Sequence, residues 1–221
     1  MIRVGLVDAD PLILEGRQLA LSAQSDLSVV YTSDSATKVA ADYEDLLIDV
    51  FVIDQRLQGT SGVELISRLA RKALIDGAQT KFVLTVAFSS ESLKAQALAA
   101  GAAAVVSQEQ SVEELIRACR TLATGHQFFD FATVRALASS QEKLLASQTK
   151  LQVAVDSLTA APKDFLKRLL AGQTPAQIAA ESAMADFRVR KNIEAILQAS
   201  NSVSLEQALF RLLANEVKVE Q

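Results

Sequence analysis

The chain has 221 residues, half of them apolar, enough to bury one large core or two small ones, and a net charge of -4. One cysteine excludes an internal disulfide, and one histidine excludes a histidine-rich metal site or a two-histidine dyad. No apolar stretch reaches the roughly eighteen residues of a membrane span, and the first residues lack a cleavable signal pattern, so the chain reads as soluble and cytoplasmic, without a membrane partner. Residues 1–125 hold sixteen acids against eleven Lys and Arg, 126–155 two against three, and 156–221 eight against eight. With an acidic front and a neutral back, contact with nucleic acid would require cations gathered on one face.

Short apolar runs at 2–7, 27–31, 50–53, 81–86 and 103–106 alternate with helical spacing at 11–23, 35–45, 62–74, 90–100 and 112–124. Runs without alternation predict strands buried on both faces, hence a five-stranded parallel sheet between helices. Ser111 with Glu114 has the capping-box pattern, and Gly101 and Gly125 read as helix stops. Cys119 falls at a half-buried helical position and reads as core. In such a sheet the loops beyond the strands' carboxyl ends form a crevice, and Asp8, Asp10, Asp54, Thr85 and Gln108 all fall there. Asp54, ending the run VFVID, is the leading site residue; the plainer alternative is an aspartate capping its own turn.

Glycine and proline vanish from 131–158, where Leu137, Leu144, Leu151 and Leu158 recur every seven residues with Val134 and Val155 on the same face. That is a connecting helix or pair of helices, lying against its own domains or pairing with a second copy. Four short helices follow at close spacing. Thr159 and Thr174-Pro175 read as starts, Asp186 opens the third, and Ser204 with Gln207 caps the last. Three domains result: 1–125, a helical linker at 126–156, and an all-helical 157–221.

The residues now assembled resemble a two-component response regulator of the LuxR/FixJ (NarL-like) family: a receiver with flavodoxin-like strand order, a helical linker and a helix-turn-helix domain. The resemblance implies a phosphoacceptor at Asp54, with a pocket of Asp8, Asp10, Thr85 and Gln108. It also marks departures, because Ala9 stands where the family has a second acid, Gln108 where it has Lys, and Val105 where an aromatic reports switching. A divalent cation would be held by Asp8, Asp54 and the backbone carbonyl of Arg56, so Mg2+ is expected to bind weakly and no cofactor is required. Gln108 replaces a charge-assisted bond by a neutral one worth about half as much.

In the last domain the resemblance runs through Leu158, Thr159, Ile178, Ala179, Val189, Ile196 and Leu197, while Pro162, Asn192, Ala199 and Ser200 depart from the usual residues. It implies that the third helix enters the major groove of double-stranded DNA, with Arg188, Arg190, Lys191 and Asn192 as contacts and Lys163, Lys167 and Arg168 flanking. Arg190 is the candidate base-reading residue, and Glu194, one turn on, opposes it. The expected protein is not an enzyme. It is a DNA-binding transcriptional regulator, a homodimer through the linker or through Leu209, Phe210 and Leu213, with an atypical receiver answering a small ligand or signalling protein instead of a kinase. A conventional phosphorylation-activated regulator and a protein-binding adaptor without DNA binding are the alternatives.

Overall fold

The apolar runs of the first part become β1 (Ile2–Val7), β2 (Leu27–Ser33), β3 (Val50–Asp54), β4 (Lys81–Val86) and β5 (Ala102–Ser107), joined in a single parallel sheet of order β2-β1-β3-β4-β5. The computed structural model describes residues 1–139 and 145–219, and the chain divides into two units, Met1–Phe128 and Phe129–Gln221.

In the first unit α1 (Pro11–Ser22), α2 (Ala36–Asp42), α3 (Gly62–Asp76), α4 (Glu91–Ala100) and α5 (Val112–Ala123) alternate with the strands. β3 and β5 are buried at every position, the condition that their unbroken apolar runs require. Phe51 and Phe82 are fully enclosed and meet Tyr43 ring to ring, while Leu21, Leu115, Cys119 and Leu122 form part of a second cluster with Val4 and Val106. Burial pushes the Cys119 thiol up to about 12. The helix expected at 35–45 is divided, α2 giving way to a 3-10 turn at Tyr43–Asp45.

The capping box expected at Ser111 is not formed: its side chain makes no cap bond, and Glu114 instead accepts two bonds from Arg117. A complete box does form at Ser61 and Glu64, opening α3. Gly101 and Gly125 stop α4 and α5 in the left-handed region, as expected.

The second unit contains α6 (Phe131–Ser139), α7 (Leu145–Asp156), α8 (Ala160–Leu170), α9 (Pro175–Glu181), α10 (Asp186–Ser200) and α11 (Leu205–Ala214). α8, α9 and α10 pack pairwise, α6 lies on α11, and α7 lies on α10. Val134, Leu137, Leu151 and Val155 are therefore buried within the unit, as are Leu209 and Phe210, and Leu213 is half-buried. The apolar side chains proposed for dimer contact are largely consumed in the unit's own core; Leu144 lies outside the described residues.

The Thr174–Gln177 box is complete, with Pro175 at the first helical position. Thr159 makes no side-chain cap bond, and at α11 Ser204 Oγ accepts from Gln207 N–H while Gln207 Oε1 accepts from Val203 N–H. Among the described residues no helix is long and apolar enough to cross a membrane.

Candidate functional site

The chain steps from β1 out to β2 and then back across to β3, so the crevice beyond β1 and β3 lies at the sheet's switch point. Val7 pairs with Ile53, and Asp54 is registered opposite Thr85 on β4. Asp8 and Asp54 are consequently neighbours, both almost wholly buried. Asp54 Oδ1 accepts from the Arg56 backbone N–H at 2.9 Å, the self-capping turn anticipated as the plainer reading. Its Oδ2 accepts from Thr85 Oγ1 at 3.0 Å and from Gln108 Nε2 at 3.1 Å. Thr85 and Gln108 thus converge on Asp54.

Asp10 does not join them. It is exposed, and its Oδ1 accepts from Leu12 N–H at 2.9 Å and Ile13 N–H at 3.4 Å, capping α1 ahead of Pro11. An aspartate followed by proline at a helix start satisfies orphan N–H groups there, which turns its carboxylate away from the crevice.

A residue that the motif reading overlooked completes the cluster. Arg17 Nη1 donates to Asp8 Oδ2 at 2.6 Å, and its Nη2 lies 3.5 Å from Asp54 Oδ2. Ile13, Arg17 and Leu21 recur every four residues on the inward stripe of α1, and helical side chains lean back toward the helix start, which returns the guanidinium to the level of the strand ends. A charged residue on that stripe was the available signal. Burial raises the Asp8 carboxyl above its ordinary range; the Asp10 backbone N–H and Arg17 pull it down, and the charge on Asp54 pushes it up.

The fit to a divalent cation is poor. Asp8 Oδ1 accepts from Asp10 N–H at 2.9 Å, its Oδ2 carries Arg17, and Ala9 offers no side-chain oxygen. Among the described residues no group of three or more His, Cys, Asp or Glu side chains is arranged for a metal. Beside the cluster a cleft of about 290 Å3 opens between α1 and the start of α5, lined by Ile13, Arg17, Thr85, Gln108, Ser111 and Leu115 among others.

In the second unit α9 ends in a short turn with Ala183 in the left-handed region, and α10 follows. Arg188, Arg190 and Lys191 are exposed near the start of α10 and have no ion-pair partner among the described residues. Lys167 is exposed and Lys163 half-buried. Two expected contacts are placed elsewhere. Asn192 is 6% exposed and donates to Met184 Sδ at 3.4 Å, because it occupies the inward stripe with Ile196 and Ser200. Arg168 is occupied in linking α8 to α9: Nε donates to Gln173 Oε1 at 2.7 Å, Nη1 to Ser182 Oγ at 2.5 Å, and Nη2 pairs with Glu181. Arg190 and Glu194, four residues apart on α10, are both exposed and form no ion pair with each other. Phe187, 61% exposed and stacked near Arg188, was not foreseen on this face.

A five-stranded parallel receiver sheet with an acidic switch-point crevice, followed by a helix-turn-helix unit, defines a response-regulator architecture. Residues 4–120 match the response regulator receiver domain, so the chain belongs to that family. Over its whole length it is similar to the uncharacterized transcriptional regulatory protein YxjL of Bacillus subtilis, 26% identical across 98% of this chain and 97% of that protein. It is 29% identical to the transcriptional regulatory protein UhpA of Escherichia coli, across 95% of this chain and 98% of that one. The solved receiver domain of a NarL response regulator from Mycobacterium tuberculosis superposes with a TM-score of 0.51 at 27% identity, covering 57% of this chain and 98% of that structure.

Proposed function

We propose that this chain is a DNA-binding transcription regulator whose receiver takes its input without phosphoryl transfer. The observation that carries the DNA-binding part is the exposed group Arg188, Arg190 and Lys191, without an ion-pair partner among the described residues, at the start of a helix entered through a short turn from α9. Such a helix inserts its first turns into the major groove, where Arg reads guanine through two hydrogen bonds and Lys neutralises phosphate. Lys163 and Lys167 on α8 supply flanking phosphate contacts. The names of YxjL and UhpA, both transcriptional regulatory proteins, support the same reading.

The phosphorylation-independent part rests on the saturation of Asp54. Its two oxygens already face the Arg56 N–H, the Thr85 hydroxyl, the Gln108 amide and, further off, Arg17. An attacking carboxylate must shed donors and then share its charge with a phosphoryl group that needs cationic help, and Gln108 brings a neutral amide. The input is a small molecule or signalling protein at the receiver, and Mg2+ is at most a weak ligand. A homodimer engaging two half-sites strengthens a DNA contact made by few cations per unit.

The test is selection of genomic fragments by the full-length protein at two salt concentrations. Selective binding that weakens with salt is expected, and Arg190→Ala should cost about 1–3 kcal/mol and relax sequence preference. Unselective or absent binding in the presence of any cell extract would refute the DNA reading, and labelling of Asp54 by acetyl phosphate with Mg2+ would refute the receiver reading. Sedimentation at several concentrations tests the dimer. A second reading, an adaptor whose helical unit binds protein, is favoured by Phe187 and Glu194, which put an apolar ring and an acid on the same exposed face.

A further inference from the structure

We infer that Arg17 is the resident counter-cation of the receiver crevice, its guanidinium holding Asp8 and Asp54 together so that a divalent cation is excluded from the place between them. The inference deepens the reading of the receiver as independent of phosphorylation and rests on it for its functional meaning. Its physical basis is separate.

Two carboxylates buried beside one another repel, and burial strips each of its water, so the pair stays doubly ionised only with a positive partner or with metal. Here the partner is built into the chain: one guanidinium nitrogen lies 2.6 Å from Asp8 and the other 3.5 Å from Asp54. A planar fork suits this task, because its nitrogens face two acceptors at once while a point charge serves one. Arg17 is held in place by its position on the inward stripe of α1, between Ile13 and Leu21, and its side chain is only 11% exposed.

The ligands a divalent cation would need are correspondingly used. Asp8 Oδ2 is bonded to Arg17, Asp8 Oδ1 to the Asp10 N–H, and Asp10 caps α1. Mg2+ requires near-octahedral oxygens at short range and surrenders its water reluctantly, so a site presenting a guanidinium and no second β1 acid repels it. Ala9 and the arginine at position 17 act in the same direction, since each removes a reason for metal and together they leave the cluster closer to neutral without it.

The experiment compares the full-length protein with Arg17→Met and Arg17→Lys. Mn2+ binding is read from the loss of the free-ion paramagnetic resonance signal, and melting is followed with and without Mg2+. Arg17→Met should bind Mn2+ at least tenfold more tightly than the parent and gain melting temperature on adding Mg2+, whereas the parent gains none. Arg17→Lys, with a point charge unable to fork, should bind more tightly than the parent by a smaller factor. Equal affinity of parent and Arg17→Met, or binding by neither, overturns the inference. Should Arg17→Met fail to fold, the lysine variant decides: tighter Mn2+ binding than the parent supports the inference and equal binding overturns it.

Acetyl phosphate labelling run in parallel separates the two readings. A parent that binds Mn2+ tightly yet leaves Asp54 unlabelled refutes the counter-cation and spares the functional proposal. A parent that excludes Mn2+ yet becomes labelled refutes the functional proposal and spares the counter-cation.

Discussion

Gly62 is the first residue of α3, and a methyl group there would stand 2.3 Å from the Asp54 carbonyl oxygen, 2.9 Å from its carbon and 2.8 Å from Leu84 Cδ1. Two effects of Gly62→Ala oppose each other. Alanine gains up to about 1 kcal/mol of helix propensity over glycine, and less at a first helical position. Overpacking costs about 1–3 kcal/mol, and the upper part of that range applies because the obstructing atom is backbone and cannot rotate away. The expected net loss is about 2 kcal/mol, from displacement of the strand end that carries Asp54. Gly77→Ala is the companion variant: nothing stands within 4 Å, but φ is +68°, so only the left-handed backbone is penalised, by about 1 kcal/mol. The chain has two tyrosines and no tryptophan, and Tyr31 and Tyr43 both lie in the first unit, so tyrosine emission in a urea titration reports that unit alone. With a urea slope of about 1–3 kcal/mol/M, the Gly62→Ala midpoint should fall by about 1 M. A midpoint equal to or above that of the parent would show that propensity wins and that α3 does not press on Asp54.

Three further outcomes follow from the same structure. Cys119, its thiol pushed up to about 12 inside the core, should resist thiol-labelling reagents at neutral pH and react at once in urea; rapid labelling of the folded chain would contradict its burial. Asp8 is raised above its ordinary range, so the folded chain holds that proton more tightly than the unfolded one; this contribution is complete below the ordinary value and is lost as pH rises through the folded one. The stability of Asp8→Asn relative to the parent should therefore improve as pH rises from about 4, and a pH-independent difference would remove Asp8 from the account. Thr174→Ala removes the acceptor of the Gln177 N–H and should cost about 1 kcal/mol, visible as faster hydrogen exchange at Gln177 and unchanged exchange in β3.

The sheet was legible because its information is local and repeated. Unbroken apolar runs identified the five strands, and strand-end positions brought Asp8, Asp54, Thr85 and Gln108 to one place. Arg17 was not legible by the same route, since a motif read at strand ends takes no notice of a helical residue seven positions beyond the capping Asp10; only its interruption of the Ile13–Leu21 stripe betrays it. Asn192 and Arg168 failed for a related reason. Residue type marks both as polar surface, but the stripe of α10 turns one inward and the Gln173, Ser182 and Glu181 side chains engage the other. The apolar spacing of Val134, Leu137, Leu151 and Val155 was read correctly as helical, yet spacing cannot say which surface receives it, and α10 and α11 receive it here.

The two contacts of Arg17 are unequal, and that inequality bears on how the receiver answers an input. The 2.6 Å contact ties the guanidinium to Asp8 on the β1 side, while at 3.5 Å the charge only leans toward Asp54, which the Arg56 N–H, Thr85 and Gln108 hold independently. Moving a two-state protein from 1:99 to 99:1 takes about 5.5 kcal/mol of differential binding. A hydrogen bond to a charged group is worth about 1.5–3 kcal/mol, so releasing the looser contact alone falls short of a complete switch. An effective input must therefore add contacts of its own, and the cleft beside Arg17, with apolar Ile13 and Leu115 facing polar Gln108 and Ser111, offers the mixed surface such contacts require. On the proposed reading the arginine sets the resting state and a ligand supplies the energy, the reverse of a receiver whose resting site awaits metal and whose switching energy comes from a covalent phosphoryl bond.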